Sequence, residues 1–266
     1  MTWLVGHLLA IGVGISLGLL GGGGSVLTLP ILVYAMGVAP KSAIAMTSIV
    51  VGIVSLFGLL PHSRRKQIDL KTVLIFGSAT TIGAFLGAKL AGFSVVTATL
   101  QMLLFAVAML VAAGFMIVRQ PRSNNSLGDR EHQDSLSSYP RPLCKYCWLW
   151  LLTEGIGVGM LTGLVGVGGG FAIVPALVLL GNLTMPAAIS TSLVIIALNS
   201  GAGLIGYLGH VSIDWYLTGS FTLAAALGSI IGTYLSKFVS ADRLQKWFGY
   251  FLLAVATFVL VRVLLN

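Results

Sequence analysis

Ile11–Gly24 reads IGVGISLGLLGGGG, and at an offset of 145 residues Ile156–Gly169 reads IGVGMLTGLVGVGG, identical at nine of fourteen positions. The same offset lays Pro30 on Pro175, Gly83 and Gly87 on Gly228 and Gly232, and Ile68-Asp69 on Ile213-Asp214. An offset of 144 pairs Thr47-Ser48 with Thr191-Ser192 and Leu100-Gln101 with Leu244-Gln245. Glycine-rich sequence alone would not keep proline, Thr-Ser and Ile-Asp pairs in register, so the chain reads as one unit written twice.

Around these two stretches the chain is apolar. Of 266 residues 57% are hydrophobic and 8% charged, against roughly a quarter charged in a soluble domain. Residues 1–40, 42–63, 72–88, 90–118 and 155–213 carry no Asp, Glu, Lys or Arg, and a bilayer span needs about 20 such residues. Cutting at charges and turn signals leaves about eight hydrophobic segments, near 3–36, 42–60, 72–90, 95–118, 148–181, 186–208, 214–236 and 244–264. The expected fold is therefore an all-α polytopic membrane protein, with two homologous four-segment repeats and Gly-rich breaks in segments one and five. Residues 1–118 form the first repeat and 148–266 the second. Between them 119–147, rich in Ser, Asn, Pro and charge, is a polar linker that cannot build a core. The net charge of +8 sits in short connections and reports topology, so nucleic acid is excluded as a partner. The opening Met1-Thr2-Trp3 has no basic leader or small-residue cleavage site, and segment one is expected in the mature chain.

Loop 61–71 holds four basic residues and one acid, which makes it cytoplasmic under the positive-inside rule, and the linker lies on the same side. Two arrangements satisfy this. If all eight segments span, the repeats are parallel, with 10 basic residues inside and 5 outside. If segments one and five are re-entrant hairpins, the repeats are inverted and the count becomes 12 against 3. Tryptophans 3, 148, 150, 215 and 247 fall near segment starts, as interfacial anchors do.

The glycine breaks are the expected binding site. Each glycine costs a helix about 1 kcal/mol relative to alanine, so consecutive ones open the backbone, which membrane protein tolerates only inside protein or beside a wet cavity. Gly21, Gly23, Gly24 and Ser25, with Gly166, Gly168, Gly169 and Gly170 in the second copy, are candidate substrate-binding residues. Pro30 and Pro175, expected near a first helical turn, would aim free N–H groups at an anion. The spaced pairs Gly14/Gly18, Gly83/Gly87, Gly159/Gly163 and Gly228/Gly232 are assigned to helix packing instead. Thr47, Ser48, Thr191, Ser192 and Asn199 complete the candidate set, with Ser55 and Ser200 beside them; their hydroxyls and amide can hydrogen-bond an oxyanion, or return to their own helix.

Asp69, Asp214 and Asp242 fall at segment ends and three more acids in the linker; Glu154 alone lies inside a span. A cavity lined by amides and hydroxyls suits an anion and serves a cation badly. Cys144 and Cys147 form a C-x-x-C, but one pair supplies only half a zinc site and no thioredoxin-like pattern surrounds it. There is no Walker motif and no Ser/His/Asp constellation. No catalytic residue, metal or cofactor is called for.

GLLGGGGSVLTLPIL (18–32) with GLVGVGGGFAIVPAL (163–177), followed by Thr47-Ser48 and Thr191-Ser192, resembles the TauE/SafE sulfite exporter family of bacterial permeases. The resemblance spans nearly the whole chain outside the linker. It implies a multi-pass permease of the bacterial inner membrane that exports small sulfur-containing anions such as sulfite or organosulfonates by alternating access. A membrane redox protein using Cys144 and Cys147, or a passive anion channel, are the alternatives. The expected partners are a small anion and the lipid bilayer, and homo-oligomers are compatible with the sequence. Gly22 and Ser25 face Val167 and Gly170 in the alignment, so the half-sites are chemically unequal.

Overall fold

The structure is a computed structural model and describes residues 2–63, 68–91, 97–118, 147–165, 169–179, 181, 183–207 and 213–265. Its first half holds α1 (Thr2–Leu20), α2 (Gly23–Pro30) with a π-helical extension Ile31–Ala35, α3 (Pro40–Ser63), the single turn α4 (Leu70–Thr72), α5 (Ser78–Ala91) and α6 (Ala98–Val118). Between α4 and α5 the helix is π-wound over Val73–Gly77. The second half holds α7 (Cys147–Val165), α8 (Gly170–Leu179), α9 (Met185–Tyr207), α10 (Trp215–Leu235) and α11 (Ala241–Leu265). No strand occurs among the described residues. The polar stretch 119–146 lies outside them, as do Gly166, Val167, Gly168 and Cys144.

Among the described residues six helices are long and apolar enough to cross a membrane: Pro40–Leu59, Leu70–Ala91, Thr99–Ile117, Met185–Gly206, Trp215–Leu235 and Arg243–Val263. Segments one and five divide instead into shorter pairs, Val5–Leu20 with Gly23–Ala35 and Leu152–Val165 with Gly170–Leu179. Large apolar side chains face outward along the spans, among them Leu74, Ile82, Phe115 and Leu227. Such a surface fits lipid. Trp215 and Trp247 are exposed near helix starts, in keeping with an interfacial position.

The aligned Ile-Asp pairs are one helix start used twice. Asp69 and Asp214 cap their helices at φ −83°, ψ 95° and φ −80°, ψ 98°. Asp69 Oδ1 accepts from the N–H groups of Lys71 and Thr72 at 3.0 and 3.3 Å, and Asp214 Oδ1 from that of Leu217 at 3.0 Å, replacing donors' lost helical partners. The prolines depart from expectation. Pro30 is the last residue of α2 and Pro175 lies inside α8, because both helices begin within the glycine runs, at Gly23 and Gly170. Each proline therefore removes an intrahelical bond, and past Pro30 the chain widens into the π turn, closed by Met36 N–H donating to Ile31 O at 3.1 Å.

Helix directions follow from the close contacts. A Cβ on Gly6 would strike Met36, and one on Gly24 would strike Val13 and Leu17, so α2 folds back along α1 and segment one ends beside its start. Gly14 lies on Ala225 and Ser229, and Gly18 on Ser229 and Thr233, which makes α1 parallel to α10. Gly159 on Thr80 and Gly163 on Ala84 make α7 parallel to α5 in the same manner. These glycines let backbones touch, the usual means by which helices associate where no hydrophobic drive operates between them.

Gly58 lies by Leu193 and Gly52 faces Ser200, so α3 and α9 cross antiparallel. The two helices that align in sequence thus run in opposite directions. An arrangement of eight spans with parallel halves needs them to run the same way. Gly77 beside Ile195 and Gly206 beside Ala88 make α9 parallel to α5 and so to α7, and this return of segment five, which lies between α3 and α9 in the chain, is what reverses the parity. Phe105 of α6 and Phe171 of α8, both fully buried, meet edge to face at 5.3 Å and 82°, worth about 0.5–1.5 kcal/mol beyond burial. That contact ties the second broken segment to a long span of the first half.

Candidate functional site

The chain reverses at glycine because the turn needs left-handed backbone. Gly21 has φ 69° and Gly169 φ 83°, a region in which any Cβ is strained. Gly21 also lies hard against Ile189, and Gly22 touches Gly170 backbone to backbone. The two breaks meet inside the bundle, where α2 and α8 begin. Gly22, the residue preceding α2, offers no side-chain cap.

Breaking a helix inside a membrane strands its last carbonyls, and each break is finished by the other half. Ser192 Oγ lies 2.9 Å from Gly21 O, its own helix's Ile189 O being 2.8 Å away. Gln101 Nε2 donates to Leu164 O at 2.7 Å at the end of α7. Leu100-Gln101 entered the sequence reading only as a repeat marker; its capping role depends on a contact 63 residues away.

The other candidates divide by what their polar atoms do. Ser25 Oγ donates to Gly22 O at 2.7 Å and Ser48 Oγ to Ile44 O at 3.2 Å, the local bonds that short hydroxyl side chains commonly form. Thr191 Oγ1 accepts the Asp69 N–H at 3.2 Å, which ties α9 to the start of α4. Gly23 and Gly24 form the first turn of α2. Thr47, Ser55, Asn199 and Ser200 differ: all are 0–2% exposed, and Thr47 Oγ1, Ser55 Oγ, Asn199 Nδ2 and Ser200 Oγ have no hydrogen-bond partner.

Ser55 and Asn199 are equivalent at the offset of 144 and both fall within the α3–α9 crossing, between the Gly52–Ser200 and Gly58–Leu193 contacts. Asn199 Oδ1 accepts from Thr81 Oγ1 at 2.9 Å and Thr80 Oγ1 at 3.3 Å. Those threonines carry no sequence signal beyond being polar in an apolar helix. Gly166 and Gly168 lie outside the described residues.

The buried polar side chains of the described residues carry no formal charge. Fully buried polar side chains among the described residues are Ser, Thr, Asn and Gln, without one ionisable group. Local potential is then set by backbone, and a helix N-terminus carries about half a positive charge. Glu154 is half-buried, with Oε2 enclosed and unpartnered, while Lys41, Lys89 and Arg243 are exposed. A surface cleft of about 240 Å³ lined by Leu104, Gly157, Met160, Leu161, Leu164 and Val165 is apolar and offers an anion nothing.

Broken helices meeting within a bundle of apolar spans define the class, a polytopic membrane transporter. Its family is shown by comparison: the chain belongs to the sulfite exporter TauE/SafE family, which matches residues 7–259. A probable membrane transporter protein of Xylella fastidiosa strain 9a5c is 31% identical over 253 residues, 94% of this chain and 92% of that protein. The probable membrane transporter protein YdhB of Bacillus subtilis is 28% identical, covering 82% of this chain and 84% of its own length. A probable membrane transporter protein of the archaeon Methanocaldococcus jannaschii is 27% identical over 94% and 92%. No solved structure matches.

Proposed function

We propose that the chain exports a small sulfur oxyanion, sulfite or an organosulfonate, across a bacterial inner membrane, its halves 1–118 and 148–266 rocking about the meeting of the glycine breaks. The observation that carries this reading is the contact of Gly22 with Gly170, where α2 and α8 begin among residues without a buried ionisable side chain. N–H groups at the two helix starts replace part of the anion's hydration, and Asn199, Thr47 and Ser55 supply further donors. Uptake of labelled sulfite into proteoliposomes, competed with sulfonates, thiosulfate, sulfate and chloride, tests it. Saturable flux with counterflow, blocked by one sulfur anion and unaffected by Cys144→Ser with Cys147→Ser, is the expected result. Absence of flux with every sulfur anion overturns the substrate, non-saturating flux means a channel, and dependence on the cysteines means redox chemistry.

The hairpins in segments one and five together give this transporter its proposed orientation. With loop 61–71 and the linker cytoplasmic, three crossings in each half put both termini outside, leaving Lys41, Lys89 and Arg262 as outer basic residues and 12 inside. A reporter fused after Asn266 is expected to read as external. An internal signal would sink the inverted arrangement.

A further inference from the structure

Thr80 and Thr81, which no motif marks, contact Asn199, the group that the proposed function places against the anion. Each hydroxyl has two acceptors in reach: Asn199 Oδ1 at 3.3 and 2.9 Å, and Gly77 O at 3.0 and 2.7 Å. Each carries one proton, while the amide carries two on nitrogen and none on oxygen. If both hydroxyl protons went to Gly77 O, hydroxyl lone pairs would face the lone pairs of Oδ1 at those distances. An amide oxygen on the α5 side is stable only when it receives the hydroxyl protons. Nδ2 then points its two donors elsewhere, and it has no partner in a residue 2% exposed.

We infer that Thr80 and Thr81 are positioning residues that set the polarity of the binding site: they hold Asn199 Oδ1 against α5 and so present its NH2 group, two donors and no acceptor, to the transported anion. This deepens the oxyanion reading and rests on it. A ligand oxygen that carries no proton, as in an ionised sulfonate, satisfies such a site, whereas a ligand O–H finds no acceptor on this side chain.

The full-length protein in proteoliposomes, with methanesulfonate as the probe, tests the inference. Thr80→Val with Thr81→Val keeps side-chain shape and removes both anchors, leaving Oδ1 buried without a donor in the bound state. KM for methanesulfonate is expected to rise about tenfold or more, with the maximal rate within about twofold. Thr80→Ser with Thr81→Ser is expected to restore the wild-type KM, which a purely space-filling role would not predict. An unchanged KM in a monodisperse valine pair, or failure of the serine pair to restore it, overturns the assignment. If the wild type moves no sulfonate, the substrate reading fails separately. Side-chain NMR of labelled asparagine then decides the positioning role: two resolved, slowly exchanging NH2 resonances for Asn199 in the wild type, collapsing in the valine pair, support it. Identical signals in both proteins refute it.

Discussion

Asn199→Asp is expected to lower transport at neutral pH by at least about a hundredfold without removing the protein from the membrane. The substitution is isosteric. One carboxylate oxygen still accepts from Thr80 and Thr81, as Oδ1 does at 3.3 and 2.9 Å, so α5 and α9 keep their contact. The other replaces two N–H donors with a negative charge where the anion must pass. Like charges in a low-dielectric interior cost several kcal/mol, and about 1.4 kcal/mol is already a factor of ten. Acidification reverses the sign, since a protonated carboxyl again has a donor to offer. Flux of methanesulfonate, which stays ionised throughout, is therefore expected to recover in the variant as pH falls while the wild type changes little. Measured flux near wild type at pH 7 would remove Asn199 from the site.

Gly22→Leu is the second large effect. Its Cβ would lie within 2.6–2.8 Å of Gly170 backbone atoms, with Gly170 O closer still. Backbone at the start of a buried helix has no rotamer to change, so the two breaks must move apart. Transport is expected to fall below detection, and the detergent-solubilised protein to unfold several degrees lower. Gly12→Leu is the matched control, because nothing lies within 4 Å of its Cβ; its flux and melting temperature should stay near wild type. If Gly22→Leu transports normally, the breaks need not touch for function.

Local physics was readable from sequence, and contacts between distant residues were not. Consecutive glycines announced the break after Leu20, four-residue glycine spacing marked α1, α5, α7 and α10 as closely packed helices without naming their partners, and paired Ile-Asp steps turned out to mark helix starts. Each signal acts within a few residues of itself. Whether segment one crosses or returns is a different kind of fact. Its length and hydropathy suit both, and the answer lies in Gly6 meeting Met36. Nothing local marks Thr80 and Thr81, because the amide they contact lies on a helix more than a hundred residues away. The prolines depart from expectation for a local reason: α2 and α8 start on the last glycines of each run, several residues before them.

The crossed caps bear on how the chain is made. When α1 first enters the translocon, the residue that finishes its broken end, Ser192, is 171 positions short of synthesis. Until it arrives, the Gly21 carbonyl lacks the hydroxyl that the second half brings to it. The second break is in the opposite situation, for Gln101 is already in place when Leu164 emerges. The order of synthesis is accordingly asymmetric: the first break is completed only by the second half, the second by a residue already made.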